Sequence, residues 1–567
     1  MTDILFGQSY YLIFDPKLYR AMQPYPPLGT LYAAAVVRRA GYDVALFDAM
    51  LASGPAEWID ALDRYQPRIA VLYEDNFNYL SKMSLLRMRG AAFAMIAAAK
   101  QRGCMVIAAG ADMTDHPNLY LTHGADVVIL GEGEETLLEV LTIFSAKALT
   151  PGPSPDLRCS IQSSGRRETA DSARGDSLSS LGTQDSSLLF SSSLDTQDSS
   201  LLFSSSLDTQ DSSLLFSSAL SSLPAGIAFL RGGVMEKTPP RPVIRDLDAL
   251  PFPAWDLVDL DRYKRVWREH HGYFSVNMVT TRGCPFHCNW CAKPIWGQKY
   301  NVRTPQNVVA EMKWLHDHVQ PDHLWFMDDI MGIQDTWIEQ FADELDAQGV
   351  HIPFKSLNRV DLLLRGRTIP ALARAGAEIV WVGAESGSQK ILDAMDKGTR
   401  VAQVYEAAKQ LHAHGVKVAF FLQFGYPGEA RADIEATLQM VRDLMPDDVG
   451  ISVSYPLPGT PFYERVKLEL GERANWVDSE DLAMLYRGPF TTVFYRQLHT
   501  VIHKEYRARK TWAALRRGQR VNPRAIASAA YHGLTLPFAR RRLDRLAQIP
   551  HPPLPTAPAA ASNGSAR

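Results

Sequence analysis

Five short apolar runs separated by amphipathic stretches open the chain: ILFGQ at 4–8, VALFDA at 44–49, RIAVLY at 68–73, CMVIAAG at 104–110 and DVVILGEGE at 126–134. Runs this short, without alternation, predict strands buried on both faces, and the 3.6-residue periodicity between them predicts helices. Residues 1–146 are therefore expected to form an open α/β sheet, which takes ligands beyond the carboxyl ends of its strands. Gly110, Gly131 and Gly133 fall at such ends. Two roles stay open for them, room for a large planar ligand or tight turns.

The alternation returns over 272–460, where VNMVTT, HLWFMDD, PFKSLNRV, AEIVWVGAES, KVAFFLQFGYPG and GISVSYPLPG predict six parallel strands of a partial (β/α)6 barrel. Reactive groups in such folds sit at the carboxyl ends of strands. Asp328 and Asp329, Asn358 and Arg359, Glu385 and Ser386, and Gly425 with Pro427 and Gly428 all terminate apolar runs. Between the two α/β regions, 147–224 contains three near-identical 13-residue units beginning at Gly182, Asp195 and Asp208, each with one Leu-Leu-Phe triplet. Such units cannot build a substantial core. A disordered insertion is expected, and a small β stack on Phe190, Phe203 and Phe216 is the alternative. Residues 225–271 read as a connector, 461–548 as a helical region with aromatic patches, and 549–567 as a disordered Pro/Ala-rich tail.

Composition narrows the classes. A net charge of −3 over 567 residues gives no overall field for nucleic acid. Five cysteines, three of them in one motif, make no disulfide framework, and no leader or run of about 20 apolar residues is visible, so a cytoplasmic protein is expected. From Lys504 to Arg545 twelve Lys or Arg face only Glu505 and Asp544. That segment suits either peripheral contact with an anionic membrane or a solvated tail.

The chemistry lies in TRGCPFHCNWC, which spaces Cys284, Cys288 and Cys291 as C-x3-C-x2-C. This spacing can hold three irons of a [4Fe-4S] cluster and leave the fourth open to the amino and carboxylate groups of a small molecule. An electron-carrying cluster normally has four thiolates. Zinc would want a fourth ligand, for which His287 is the only nearby nitrogen. Cys104 and Cys159 are remote in sequence, so no second cluster is expected.

The motif, the alternation after it, and the stretches PPLGTLYAAAVVRRAGYDVALFDA and GADVVILGEGEETLLEVL together resemble the radical S-adenosylmethionine (SAM) enzymes with an N-terminal cobalamin-binding domain. The nearest resemblance is to the subgroup of the anaerobic magnesium-protoporphyrin monomethyl ester cyclase and hopanoid-modifying enzymes. It covers residues 3–145 and 225–500. The resemblance implies that Cys284, Cys288 and Cys291 hold the cluster and that SAM, chelated to the open iron, is cleaved to methionine and a 5'-deoxyadenosyl radical. It places Asp328, Asp329, Arg359, Glu385, Ser386, Gly425, Pro427 and Gly428 near SAM. The carboxylates would accept hydrogen bonds from its amine or ribose, and Arg359 would pair with its carboxylate. Phe286 and Trp290 would exclude water from the cluster or anchor its loop.

Gly110, Gly131, Glu132, Gly133 and Glu134 would border cobalamin, with loop 73–82 facing the corrin. The D-x-H-x-x-G pattern that supplies a lower cobalt ligand is absent; His116 has no Gly three residues later. Cobalamin is therefore expected without that histidine. The implied partners are a small-molecule substrate, polycyclic or lipid-like, and a donor such as flavodoxin or ferredoxin, with no nucleic acid. The first expectation is oxidative cyclisation or rearrangement, and methyl transfer from methylcobalamin to carbon is the alternative. A non-catalytic cobalamin or iron-sulfur sensor represents another class. Tyr455, Tyr486, Phe490, Phe494 and Tyr495 are either a substrate wall or core.

Overall fold

A computed structural model describes residues 2–148, 223–470 and 474–550; the repeat units, Cys159 and the last residues of the tail lie outside the described residues. Strands β1 (Ile4–Gly7), β2 (Val44–Phe47), β3 (Ile69–Tyr73), β4 (Met105–Ala109) and β5 (Val127–Ile129) are parallel, in the order β2-β1-β3-β4-β5. Ile4, Leu5, Phe6, Val71 and Ile107 are all fully buried, as helix-covered strands require. Residues 225–271, read above as a connector, contribute β6 (Ile227–Arg231) and β7 (Val234–Lys237), which extend this sheet antiparallel. The Gly232-Gly233 turn between them has positive φ at both residues, 56° and 78°, the geometry of a tight two-residue hairpin.

The chain then runs through the helix Leu260–His271 into β8 (Ser275–Met278) and a short antiparallel ribbon, β9 (Thr281–Arg282) and β10 (Asn301–Val302). After it come β11 (His323–Phe326), β12 (Phe354–Asn358), β13 (Ala377–Glu385), β14 (Lys417–Phe424) and β15 (Asp448–Val453). These pair in parallel with β8 in the order β15-β14-β13-β12-β11-β8, an open six-stranded half-barrel. Alternation divides its faces. Val380 and Val382 are buried toward the helices, whereas Trp381 and Gly383 face the concave side.

The first sheet has its own core around Leu5, Trp58, Leu72 and Val106, while a second, larger core joins the half-barrel to Leu28, Leu31, Tyr32 and Phe77 of the first domain. Phe77 stacks on Trp296 at 5.0 Å, and the Trp267 indole donates to the Pro24 carbonyl at 2.7 Å. At the C-terminal end the helices Thr492–Arg516 and Pro523–Leu546 pack along each other. The aromatic residues proposed as a substrate wall mostly belong to the larger core. Phe494 and Tyr495 are buried, and the hydroxyls of Tyr455, Tyr486 and Tyr495 are taken up by Met83 O, Gly425 O and Glu429. Among the described residues no helix is long and apolar enough to cross a membrane.

Candidate functional site

The cysteine loop lies between β9 and β10, whose pairing brings its two ends together. Gly283 makes the closure possible: its φ is +81°, and a side chain there would run into the Lys299 carbonyl. All three thiols are free. Burial raises the Cys284 thiol and pushes Cys291 up to about 12, so both stay neutral until a cation draws off their protons. Among the described residues no three His, Cys, Asp or Glu converge on a single ion, and His287 is exposed.

Asn289 anchors the loop's far side. Its amide donates to Ala394 O at 2.8 Å and to Asp396, and its carbonyl oxygen accepts from Tyr426 OH at 2.8 Å. Phe286 lies under Arg359, whose guanidinium carbon is 3.7 Å from the ring centroid, and Trp290 packs on the small core of Ile391 and Tyr426. Both are loop anchors.

The loop's near end is fixed by charge. Arg282 Nη1 is 2.5 Å from Glu132 and Nη2 is 2.8 Å from Glu134, with all three side chains 3–4% exposed. Burial pushes the Glu132 carboxyl upward and Arg282 pulls it back. The second Glu132 oxygen accepts from Ile244 N. Glu132 is thereby held on both oxygens, by Arg282 of the cysteine loop and by Ile244, whereas Glu134 keeps Oε2 buried without a partner.

The strand ends divide the remaining residues. Asp328 turns away from the thiols: its oxygens accept from Thr280 N, Thr280 Oγ1 and Thr281 N at 2.6–2.9 Å. Asp329 turns the other way, pairs with Lys82 from the first sheet's loop, and acts on Cys284 and Cys291 electrostatically. Arg359 Nη1 reaches to 3.9 Å of Cys288 Sγ while Nη2 donates to Lys397 O at 2.9 Å. Glu385, at φ +53°, bonds Lys397 Nζ at 2.8 Å directly over Gly383, where a Cβ would sit 2.5 Å from both groups. The strained backbone of Glu385 is thus what swings its carboxylate over the mouth.

Ser386 faces Thr437 and Ser388 instead, and Gly425 binds Glu429 and Tyr486 through its own backbone. Gly428 accepts from Lys390, and no contact joins Pro427 or Gly428 to the thiols. Lys82, at the end of the 73–82 loop, and Lys397, 12 positions after Glu385, belong to the site although no motif singled out either lysine.

Comparison with known proteins gives this geometry a family. Residues 278–441 match the model of the radical SAM superfamily, and residues 20–141 match the B12 binding domain. The chain carries a radical SAM domain and a B12-binding domain. An uncharacterised methyltransferase of Pyrococcus horikoshii is 27% identical over 42% of this chain and 51% of its own length. The anaerobic magnesium-protoporphyrin IX monomethyl ester cyclase of Cereibacter sphaeroides is 29% identical over 43% and 39% respectively. The chain thus spans about half or less of these curated relatives. Among solved structures, the cobalamin-dependent SAM radical enzyme OxsB with aqua-cobalamin and SAM bound superposes with a TM-score of 0.62 at 13% identity, over 96% of this chain and 72% of that one. The likeness establishes the fold. The cofactor set belonging to these two domains is a [4Fe-4S] cluster, SAM and cobalamin.

The radical SAM protein's first sheet fits a polar ligand at its strand ends. Glu74 Oε2, Asn76 Oδ1, Ser81 Oγ and Ser84 Oγ are buried without a partner in and beside one loop. Each such atom costs about 1–3 kcal/mol unless something bonds it, and the amide rim of cobalamin offers such groups. Tyr79, in the same loop, is 57% exposed and lies within electrostatic range of Glu385 and Cys291. The glycines do not make room for a ligand. A Cβ on Gly110 would meet Glu74 at 2.8 Å and one on Gly133 would meet Tyr73 at 2.9 Å; Gly131 takes φ +76° and lies against Ile295 O. His116 lies 3.8 Å from Asp112, on the helix side.

Burial raises Glu74 to about 7, against 4.5 for an ordinary glutamate. The unfolded chain releases this proton near pH 4.5 and the folded one only near 7, so the cofactor-free protein loses stability as pH rises between those values. Glu74→Gln, which mimics the protonated acid, is expected to raise the melting temperature of the cofactor-free protein at pH 8 and leave it unchanged at pH 4. An equal effect at both values would contradict the assignment.

Proposed function

We propose that this radical SAM protein is a cobalamin-dependent enzyme that activates carbon in an apolar or aromatic small molecule. The observation that carries this reading is the convergence of three free thiols, Asp329, Arg359 and the Glu385–Lys397 pair at one barrel mouth, opposite the Tyr79–Lys82 loop of the first sheet. With its cofactors bound, the site would be supplied with reductive cleavage of SAM to a 5'-deoxyadenosyl radical and with a cobalamin-borne methyl group. The chain's own residues bind and orient. Asp329 and Glu385 offer acceptors to an amine and to ribose hydroxyls, and Arg359, already paired with Asp361 through Nε at 3.0 Å, keeps Nη1 turned to the cysteine loop.

Support for an apolar substrate comes from the concave face, where Trp381 and Phe421 lie 4.6 Å apart and Phe421 is 38% exposed. Gly450 leaves room for both rings. A low-potential cluster asks for a reducing compartment, so the reaction belongs in the cytoplasm with a flavodoxin- or ferredoxin-type donor, and the substrate's apolar character is compatible with delivery from a lipid surface.

Methyl transfer to carbon is favoured by the methyltransferase among the relatives, and cyclisation or rearrangement by the cyclase. Anaerobic turnover with methyl-labelled SAM separates them. Methyl transfer is expected to yield S-adenosylhomocysteine together with 5'-deoxyadenosine. Cyclisation would yield 5'-deoxyadenosine alone, and neither product from a fully loaded protein would overturn the reading.

A further inference from the structure

The terminal helix Pro523–Leu546 turns apolar side chains outward. Tyr531, Leu534 and Phe538 are 59%, 75% and 69% exposed. Their spacing of three and four residues places them on one stripe, which Ala527 begins. Single exposed apolar residues are ordinary on any protein surface; three on one stripe of one helix are not.

The helix cannot roll to hide them, because its other face is fastened. Arg540 bonds Glu505 at 2.5 Å, Asp544 bonds Arg431 at 2.7 Å, Gln497 donates to Ala539 O at 2.9 Å, and Lys504 donates to Thr535 at 2.9 Å. Arg541 and Arg545 continue the stripe beyond Phe538, Arg542 flanks it, and Arg524 stands before it. None of these four has an ion pair among the described residues, and the helix's single acid, Asp544, is already taken.

We propose that this outer face docks on an anionic phospholipid membrane, with the helix lying in the interface plane. Leu534 and Phe538 would enter the acyl boundary, Tyr531, whose ring carries Lys504 Nζ at 4.6 Å, would lie at its edge, and the four guanidinium groups would reach the phosphates there. Charge decides the occupant. A two-fold contact with a second copy would set each arginine rim against its equivalent with no free acid to separate them, whereas an anionic lipid surface complements the whole rim. Docking needs no turnover, so it stands or falls apart from the cofactor chemistry.

The test is flotation of the full chain with vesicles of phosphatidylcholine alone and with phosphatidylglycerol added, at low and high salt. Binding is expected only to the anionic vesicles and is weakened by salt. Leu534→Asp/Phe538→Asp and Arg541→Glu/Arg542→Glu/Arg545→Glu are each expected to lower partitioning by about tenfold or more, with melting curve and iron content unchanged. Should either variant lose its native transition, Leu534→Gln/Phe538→Gln takes its place. The proposal is overturned if the native chain does not float, if neutral vesicles bind it as well, or if the variants keep binding. It is also overturned if light scattering shows a dimer that Leu534→Asp makes monomeric, which would assign the stripe to a second copy.

Discussion

Cys288→Ala is expected to reduce formation of 5'-deoxyadenosine from SAM, in the anaerobically reconstituted and reduced protein, to the level of a protein-free blank. Among the described residues the three thiols are the cysteine donors at this loop, since Cys104 is buried in the first sheet with its thiol on Pro67 O at 3.3 Å. Iron content should fall in parallel. Cys104→Ser, made as a control, should keep both iron and product. Product formation surviving in Cys288→Ala would remove the cluster from the account.

The second large effect is one of stability. Arg282→Met leaves Glu132 and Glu134 buried, adjacent and without their cation, and breaking such a pair costs about 3–5 kcal/mol. The surface pair Arg38–Asp256 has the same 2.5 Å separation, but its side chains are 42% and 62% exposed. Solvent screens it, so Arg38→Met should cost no more than about 1 kcal/mol. Thermal unfolding of the two variants side by side separates the cases. The Arg282 variant should also take up less iron, because Arg282 begins the cysteine loop. Equal melting of both variants would show that the clamp does not hold the loop.

The elements most visible in the sequence were the buried parallel strands. All five parallel strands of the first sheet and all six of the half-barrel were legible as short runs, the former buried on both faces and the latter apolar on the side packed against helices. The β6–β7 hairpin escaped because it follows the repeat segment and β7 lies at the exposed edge, although β6 is buried at Ile227, Ala228 and Phe229 and Gly232-Gly233 marked the turn. At the site, the cysteines announced themselves by local spacing. Their supports did not. Arg282 meets Glu132 across 150 positions, Lys82 meets Asp329 across 247, and Arg359 meets Cys288 across 71. Periodicity and motif spacing carry no trace of such pairings.

The same limit hid the ion pairs that Glu132 and Glu134 make with Arg282. A carboxylate at a strand end looks alike whether it faces a ligand or an arginine from another domain. The unpartnered atoms of Glu74, Asn76, Ser81 and Ser84 became visible only once the fold had closed around them.

The account rests on an iron left open for SAM at the Cys284–Cys288–Cys291 loop. The most direct test is electron paramagnetic resonance of the reduced, iron-loaded protein before and after adding SAM. A SAM-dependent change in the cluster signal, absent from Cys288→Ala, is the predicted result. A fully loaded, reduced cluster whose signal is indifferent to SAM would contradict it and leave the loop an electron-transfer or structural site.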